Sequence, residues 1–251
     1  MPCILVTNDD GVASEGIRAL AAVLEPLGEV TVVAPVAESS AIGHALTLVR
    51  PLRLDEIRPS VFSVDGTPTD CVNVAVARVL HRLPDLVVSG INKGYNIGDD
   101  ITYSGTVAGA MEGALLGIPA VAVSLCRRPT FDFAQAAQAA ALVASAVLRH
   151  GLPPRTFLNV NVPPRPALGY KVTVQAKRNH LTSVTESVDP RGRKYYWIDE
   201  AEYDWQPHDR SDYQAVRDGY ISVTPLQPDL TDHSALDFVA GLPFPAATAV
   251  E

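Results

Sequence analysis

The chain has 251 residues, of which 47% are hydrophobic and 19% charged, and this composition predicts a globular protein and excludes a disordered one. Its formal net charge is −8 at pH 7, which argues against a nucleic-acid polymer as partner because an acidic surface repels polyanions. An anionic ligand would need local positive potential from a metal ion, a helix N-terminus or a few basic side chains.

Three scattered cysteines, Cys3, Cys71 and Cys126, form no Cys-x-x-Cys pair, so neither a disulfide framework nor a zinc cluster is predicted. The chain shows no signal-peptide pattern, and no apolar run approaches the roughly 18 residues that span a bilayer. We expect a protein of a reducing compartment, the cytoplasm, without a membrane partner.

The first third of the chain alternates short apolar runs with a helical pattern. A helix is predicted from about Glu15 to Leu27, with Gly28 ending it. The predicted strands are Cys3 to Thr7, Val30 to Ala34, Leu46 to Val49, Leu52 to Leu54 and Val61 to Val64.

The middle of the chain continues this alternation. Thr67 is a plausible N-cap, followed by Pro68 at the first helical position and Asp70 three residues after the cap, so a helix is predicted from there to about Leu80. Further helices are predicted at Thr106 to Leu116 and Asp132 to His150, and strands at Leu86 to Ser89, Ala120 to Ser124 and Phe157 to Val162.

This alternation predicts one α/β domain over residues 1–251: a three-layer α/β/α, doubly wound, mostly parallel, Rossmann-like sheet. Its core covers about 1–165. The remainder, 166–251, is predicted to form an arm and tail that pack on a partner subunit. The predicted elements there are a β-hairpin (Leu181 to Val188 and Lys194 to Ile198), an irregular acidic stretch (Asp199 to Asp212), a strand (Tyr220 to Thr224) and a short helix (Thr231 to Leu242).

Two adjacent carboxylates, Asp9 and Asp10, directly follow the first strand, where open α/β sheets bind ligands. A hard divalent cation would relieve their mutual repulsion and their loss of solvation. Gly11 would let the backbone turn sharply beneath the ion. An ordinary acidic turn that ends a strand is the alternative.

A glycine-containing loop, residues 89–100, follows another predicted strand. Asn92 can offer an oxygen to a metal and Asn96 can donate to a phosphate oxygen, whereas a flexible surface loop is the alternative. The loop matches neither the dinucleotide fingerprint nor the Walker A motif.

Two further polar segments are candidates. Ser104, Gly105 and Thr106 open a predicted helix, so they form an anion site or a simple N-cap. In the loop 38–44 a serine hydroxyl could complete a metal shell, and His44 could touch a substrate, although a solvated or capping histidine is the favoured reading.

Together these segments resemble the SurE (survival protein E) nucleotidases over nearly the whole chain. The matching motifs are Val6 to Gly11, Ala34-Pro35 with Ser40, Gly66 to Cys71, Ser89 to Asn92 through Ser104 to Thr106, Asn159 to Pro163, Val223 to Leu226 and Asp229 to Asp232.

The resemblance implies a 5′/3′-nucleotidase that hydrolyses nucleoside monophosphates, with some activity on short polyphosphate. It implies one Mg²⁺ or Mn²⁺ ion per subunit, held by Asp9, Asp10, Ser40 and Asn92, and a phosphate held by Asn96, Ser104, Gly105 and Thr106. It also implies a homodimer or homotetramer formed through the C-terminal arm and tail.

The sequence departs from the family pattern at Val36-Ala37-Glu38, which lacks the basic residues that such proteins often carry before the metal-binding serine, so the resemblance does not carry over the substrate preference. A shift of the metal-binding serine from Ser40 to Ser39 is also compatible with the spacing.

We expect attack by a water that Asp9 or Asp10 orients or deprotonates, because the carboxylates are adjacent; an aspartyl-phosphate is the alternative. The competing functions are a non-catalytic nucleotide-binding or regulatory module and a scaffold that assembles through the hairpin.

Overall fold

The computed structural model describes residues 1–126, 132–179, 183–199 and 204–243. The strands are β1 (Cys3–Thr7), β2 (Glu29–Pro35), β3 (Leu54–Arg58), β4 (Val61–Val64), β5 (Leu86–Lys93), β6 (Ala120–Leu125), β7 (Phe157–Val162), β8 (Tyr170–Val172), β9 (Arg178–Asn179), β10 (Ser183–Val188), β11 (Lys194–Asp199), β12 (Asp204–Trp205) and β13 (Ile221–Leu226). The α-helices are α1 (Glu15–Leu24), α2 (Pro68–Val74), α3 (Gly105–Leu115), α4 (Ala134–His150), α5 (Asp212–Arg217) and α6 (Leu236–Ala240).

Within the described residues, nine strands form the main sheet, in the order β3-β4-β2-β1-β5-β6-β7-β13-β8. The six strands from β4 to β7 are parallel to one another, whereas β3 and β13 run antiparallel to their neighbours β4 and β7. Every residue of β1 and β6 is buried, as expected for strands that are covered on both faces.

Helices cover both faces of the sheet. On one face, α1 packs with α4, and on the other α2 packs with α3, so the predicted three-layer α/β/α fold is confirmed. The helix α1 begins after Ser14, whose hydroxyl accepts a hydrogen bond from Ile17 N, and buries Ile17, Leu20 and Leu24. Cys71 of α2 is fully buried in the apolar layer between the sheet and the α2–α3 pair.

The helix α3 lies very close to the sheet because three glycines, four residues apart, face it. A Cβ atom on Gly105 would stand 2.8 Å from Asp9 Cβ, one on Gly109 2.9 Å from Ser89 Oγ, and one on Gly113 3.0 Å from Val87 Cβ. These separations are at or below the closest that Cβ atoms tolerate, so larger side chains would push the helix away from β1 and β5.

The strand order places a topological switch point between β1 and β5. From β1 the chain crosses through α1 to β2 on one side, and after β4 it crosses through α2 to β5 on the other side. In such sheets the carboxyl ends of the two central strands diverge and leave a crevice, which is where ligands bind.

The C-terminal part contributes to the main sheet as well as to a hairpin. Strands β10 and β11 pair antiparallel from Val188↔Lys194 to Ser183↔Asp199, as the sequence predicts, whereas Leu181 lies outside the described residues. Because β8 and β13 extend the main sheet, the sheet continues beyond the predicted core limit near residue 165.

Several predicted elements differ from the observed ones. The segment Leu46 to Val49 is not a strand and leaves Leu48 and Val49 exposed, and the next strand begins only at Leu54. The helix predicted to reach Leu80 ends as α2 at Val74 and continues as a π-helical turn, Ala75–Val79. The stretch predicted to be irregular contains β12 and the start of α5, and the last predicted helix is a 3-10 turn followed by α6. In the described part of the chain, no helix is long and apolar enough to cross a membrane.

Candidate functional site

The turn after β1 is shaped by the side chain of Asn8. Its Nδ2 donates to Gly11 O at 3.1 Å and to Ser14 Oγ at 2.9 Å, which joins the end of the strand to the N-cap of α1. Gly11 has a φ of +93°, a left-handed conformation that favours glycine. The turn therefore holds Asp9 and Asp10 in a fixed backbone frame at the carboxyl end of β1.

Asp9 is bound by the first turn of α3. Its Oδ2 accepts a hydrogen bond from Thr106 N at 3.0 Å, and its Oδ1 accepts one from Thr106 Oγ1 at 2.5 Å. Its carbonyl oxygen accepts from Ser39 N at 2.8 Å, which ties the following loop to the same residue. Burial raises the pKa of Asp9, and the hydrogen bonds from Thr106 oppose that shift.

The N-terminus of α3 is built to receive this carboxylate. Ser104 is the N-cap, and its Oγ accepts a hydrogen bond from Val107 N at 3.0 Å. Gly105 leaves room for Asp9, since an added Cβ would lie 3.0 Å from Asp9 Oδ2. The positive end of the helix dipole and two hydrogen bonds therefore act on Asp9. Both donors of Thr106 are used by Asp9, so its predicted contact with phosphate stays a prediction.

Asp10 is placed differently from Asp9. Its Oδ2 is buried and makes no hydrogen bond with the described part of the protein. Burial, followed by the neighbouring charge of Asp9, raises the pKa of Asp10 to about 6, although Lys93 acts in the opposite direction. A buried carboxylate oxygen without a donor is what a hard divalent cation would satisfy, so these residues fit a Mg²⁺ or Mn²⁺ ion.

The other two predicted metal ligands lie on segments next to Asp9 and Asp10. Thr7 of β1 pairs with Ser89 of β5, so Asp10 and Asn92 each follow a paired residue by three positions at the same edge of the sheet. The Asn92 Nδ2 donates to Gly94 O at 3.0 Å, which leaves its Oδ1 as the atom to face a cation.

Ser40 lies on the exposed loop after β2, and its Oγ donates to Glu38 Oε1 at 2.6 Å. The adjacent Ser39 donates its backbone N–H to the carbonyl oxygen of Asp9, so this bond brings the loop that carries both serines to the end of β1. Among the described residues there is no group of three or more His, Cys, Asp or Glu side chains suited to a metal ion. The predicted set uses only two carboxylates, with an amide and a hydroxyl.

Asn96, the predicted phosphate ligand of the glycine-containing loop, is buried and held by its neighbours. Its Nδ2 donates to Ser124 Oγ at 2.7 Å. Its backbone N and O pair with side chains of β7, as described below. The second hydrogen on Nδ2 is the one available for a ligand, and its contact with phosphate stays a prediction.

A hydrogen-bonded group that the sequence did not suggest surrounds Glu112 of α3. The Glu112 Oε2 lies 2.7 Å from His44 Nε2, and its Oε1 accepts from Asn73 Nδ2 at 2.7 Å. Burial opposes ionisation of Glu112, but the contacts with His44 and Asn73 outweigh it and lower its pKa. His44 therefore fastens the loop after β2 to α3, which is neither the solvated nor the capping role that the sequence favoured.

The sequence also missed the residues that support the loop, namely Asn159, Asn161 and Asp212. A signal for the first two was present: two asparagines two positions apart in an apolar strand place both amides on one face of the sheet. No local pattern marked Asp212, because the two partners that connect it to other segments, Gly98 and Ala176, lie more than 30 residues away in sequence.

The doubly wound sheet, with paired carboxylates at its switch point and one of them against a helix N-terminus, defines an α/β protein with an acidic candidate site. The chain belongs to the SurE family: the family model described as "Survival protein SurE" matches residues 4–182. Its similarity to individual proteins extends over nearly the whole chain.

Two bacterial relatives, each described as "5'-nucleotidase SurE", illustrate this. The one from Syntrophotalea carbinolica is 56% identical over 237 residues, covering 93% of this chain and 94% of that protein. The one from Pelobacter propionicus is 53% identical over 240 residues, covering 94% and 97%. Among solved structures, the SurE protein from Aquifex aeolicus has a TM-score of 0.86 at 45% identity, covering 95% of this chain and 98% of that one.

Proposed function

We propose that this chain is a metal-dependent phosphatase that hydrolyses nucleoside 5′- and 3′-monophosphates to nucleoside and phosphate, and also acts on short polyphosphate. The observation that carries the proposal is the paired carboxylate at the switch point, with Asp9 bound by the N-terminus of α3 and a buried oxygen of Asp10 without a donor. The names of its relatives, each a 5'-nucleotidase, support the hydrolysis of nucleoside 5′-monophosphates.

Asp9, Asp10, Asn92 and Ser40, with Ser39 as the alternative to Ser40, would hold one Mg²⁺ or Mn²⁺ ion. When bound, such an ion supplies Lewis-acid polarisation of the phosphoryl group and lowers the pKa of a coordinated water. The rest of the chemistry belongs to the protein's own residues.

Those residues bind and orient the substrate. The N-terminus of α3, from Ser104 to Thr106, and the amide of Asn96 would face the phosphoryl oxygens and stabilise the charge that accumulates on them. Thr106 fixes the orientation of Asp9 through two hydrogen bonds. Asp10 has the carboxylate oxygen without a donor, so it is the better placed of the two to orient an attacking water.

The setting of the enzyme is part of the proposal. We expect it to work in the cytoplasm as a homodimer or homotetramer, with a nucleoside monophosphate as substrate and without a nucleic-acid polymer or a membrane as partner. Exposed apolar side chains on the hairpin, including Trp197 and Ile198, support assembly through the arm.

The test is an assay of nucleoside monophosphates and p-nitrophenyl phosphate in the presence of Mg²⁺ or Mn²⁺, with EDTA and the Asp9→Asn variant as controls. Phosphate release that requires the metal and is lost in Asp9→Asn supports the proposal. Nucleotide binding without phosphate release under all these conditions would identify a non-catalytic module instead. Isolation of a phosphoaspartate at Asp9 or Asp10 would replace attack by water with the covalent route.

A further inference from the structure

The segment 94–100, here called the Asn96 segment, follows β5 and includes the start of the 3-10 turn, Gly98–Thr102, that precedes α3. It carries Asn96 and leads directly to Ser104, so its path sets the distance between two proposed phosphate-binding residues. Among its backbone hydrogen bonds, Gly94 N donates to Leu125 O at 2.9 Å, Asp100 N donates to Ile97 O at 3.2 Å, and Asp100 O accepts from Tyr103 N at 3.0 Å. Side chains of other elements also hold it in place.

Asn161 of β7 pairs with both backbone groups of Asn96. Its Oδ1 accepts from Asn96 N at 2.9 Å, and its Nδ2 donates to Asn96 O at 2.9 Å. The neighbouring Asn159 donates to the same carbonyl oxygen at 2.7 Å. An amide side chain carries an acceptor oxygen and a donor nitrogen in one plane, so Asn161 bonds the N–H and the carbonyl of Asn96 as the backbone of a neighbouring strand would. A carboxylate lacks the donor, and an alkyl group lacks both.

Asn161 belongs to a polar row that crosses the sheet. In the strand register, Asn92 of β5 pairs with Ser124 of β6, Ser124 with Asn161, and Asn161 with Ser222 of β13. Asn161, Ser124 and Ser222 are all completely buried. Polar side chains at these depths cost free energy unless they are hydrogen-bonded, which indicates a role beyond packing.

Asp212, at the first position of α5, holds the other end of the segment. Its Oδ2 accepts from Gly98 N at 2.9 Å, and its Oδ1 accepts from Ala176 N at 3.0 Å and from Tyr213 N at 2.7 Å. The residue is completely buried, and this burial raises the pKa of its carboxyl. Burial of this carboxylate costs free energy of folding, and one of its oxygens holds the backbone of Gly98.

Trp205 closes the same position from the outside. A Cβ atom on Gly98, whose φ is +53°, would overlap the Trp205 ring, so ring and backbone are in direct contact. The ring is stacked on Tyr213 with centroids 4.9 Å apart, which anchors it to α5. The Asn96 segment is thus clamped between β7 and the C-terminal part of the chain.

We propose that Asn161 and Asp212 are positioning residues for substrate phosphate: they fix the Asn96 segment so that Asn96 and the N-terminus of α3 face one phosphoryl group together. The inference rests on the proposed function, since it assigns these residues to the same site. Neither residue touches the substrate. They act on binding through the backbone of the segment, which leaves Asp9 and Asp10 unaffected.

The test compares Asn161→Asp and Asp212→Asn with a control, Thr224→Val. Each of the first two changes replaces one hydrogen-bonding atom without changing the size of the side chain. Thr224 is buried and bonded to Thr173 at 2.8 Å, and this contact lies outside the segment. The control therefore reports what a lost buried hydrogen bond does to the sheet alone.

For AMP and for p-nitrophenyl phosphate we expect KM to rise about tenfold to a hundredfold in Asn161→Asp and Asp212→Asn. The Mn²⁺ concentration for half-maximal activation should stay unchanged, and Thr224→Val should keep the wild-type KM. A fall in kcat at unchanged KM, or the same KM in all four proteins, would overturn the inference. Should Asn161→Asp fail to fold, Asp212→Asn decides by the same criteria.

A wild-type protein that hydrolyses no monophosphate would overturn the proposed function rather than the positioning role. Calorimetric titration with AMP then decides the latter. Weaker binding by Asn161→Asp than by Thr224→Val would support it, and equal binding would contradict it.

Discussion

At the scale of single residues, the contact between Thr106 and Asp9 joins the proposed phosphate-binding residues to the proposed metal ligands. Thr106 donates both its N–H and its hydroxyl to the two oxygens of one carboxylate. A side chain that was expected to bind phosphate thus orients the carboxylate that would hold the cation.

The hydroxyl of Thr106 can be removed without changing the shape of the side chain. In Thr106→Val we expect kcat/KM to fall about tenfold to a hundredfold, because a hydrogen bond to a charged group contributes roughly 1.5–3 kcal/mol. Thr106→Ser keeps the hydroxyl and should stay within about threefold of the wild type. Steady-state kinetics with AMP measure both, and a loss in Thr106→Ser as large as that in Thr106→Val would show that the lost hydroxyl does not by itself explain the effect.

Asp10 should limit the stability of the metal-free protein. The folded state raises its pKa to about 6, so the stability that it contributes is present below the unfolded pKa near 4 and is lost as pH rises through 6. At pH 7.5 in EDTA we expect Asp10→Asn to unfold a few degrees higher than the wild type, since about 1 kcal/mol shifts the melting temperature by roughly 2–4 °C.

The same melting experiment has an internal control. The advantage of Asp10→Asn should vanish at pH 4, where the wild-type carboxyl is protonated, and Mn²⁺ should raise the melting temperature of the wild type more than that of the variant. A variant that melts below the wild type at pH 7.5 in EDTA would show that Asp10 is satisfied without a cation.

The sequence predicted those site residues whose position depends on nearby residues in the chain, and missed the contacts between residues far apart in the chain. Asp9 and Asp10 follow the strand predicted at Cys3 to Thr7, and Asn92 follows the strand predicted at Leu86 to Ser89, which extends to Lys93 in the structure, so their place at one edge of the sheet could be inferred from local patterns. The partner of Asp9 lies 97 residues away and that of Glu112 lies 68 residues away, and no local pattern reveals such a contact.

At the scale of elements, α3 is the helix on which the site depends. Its glycines at positions 105, 109 and 113 let it approach β1 and β5 closely enough for its first turn to reach Asp9. The position of the helix axis, and not only the identity of its first residues, therefore determines the geometry of the site.

Glycine substitutions at the two ends of α3 should separate catalysis from stability. Gly105→Ala places a Cβ 2.8 Å from Asp9 Cβ, so we expect activity to fall more than tenfold. Gly113→Ala meets Val87 Cβ at 3.0 Å, at the far end of the helix, and should cost about 1–3 kcal/mol of stability with little loss of activity per folded molecule. Urea unfolding and assays on the same samples test both, and the reverse pattern would contradict the proposed place of Asp9.

Strands and helices marked by a clear pattern of apolar residues were predicted close to their observed bounds, and the others were not. The buried strands β1, β6 and β7 and the helix α4 came close to their observed bounds because apolar runs and helical periodicity mark them. The apolar run at Leu46 to Val49 resembled a strand, but Leu48 and Val49 are exposed and the loop is held instead by Asp70, which accepts from Thr47 N at 2.9 Å. The helix α5 has only six residues, too few for a period to be recognised, and the antiparallel direction of β13 leaves no local mark.

At the scale of the whole molecule, the hairpin β10–β11 is the part of the described chain with least support from the rest. On β11 the side chains of Tyr196, Trp197 and Ile198 are 59%, 62% and 81% exposed, on both faces of a two-stranded ribbon. An isolated hairpin is marginally stable in water, so the ribbon would gain most from packing on another subunit.

We expect the wild type to sediment as a dimer or tetramer and the double variant Trp197→Glu, Ile198→Glu to sediment as a smaller species. The circular dichroism spectrum of the variant should stay that of an α/β protein, because these side chains take no part in the core. Sedimentation velocity at several concentrations measures this, and an unchanged assembly would place the subunit contact elsewhere.

The cysteines differ in burial, so their reaction with an alkylating reagent can report local unfolding of the protein. Cys71 of α2 is completely buried between the α2–α3 pair and the sheet, and burial raises the pKa of its thiol, whereas Cys126 is partly exposed just after β6. An alkylating reagent should modify Cys126 first and reach Cys71 only when the α2–α3 layer lifts off the sheet. The rate of modification at Cys71, followed by mass spectrometry of its peptide, thus measures how often that layer separates, without any label having been introduced.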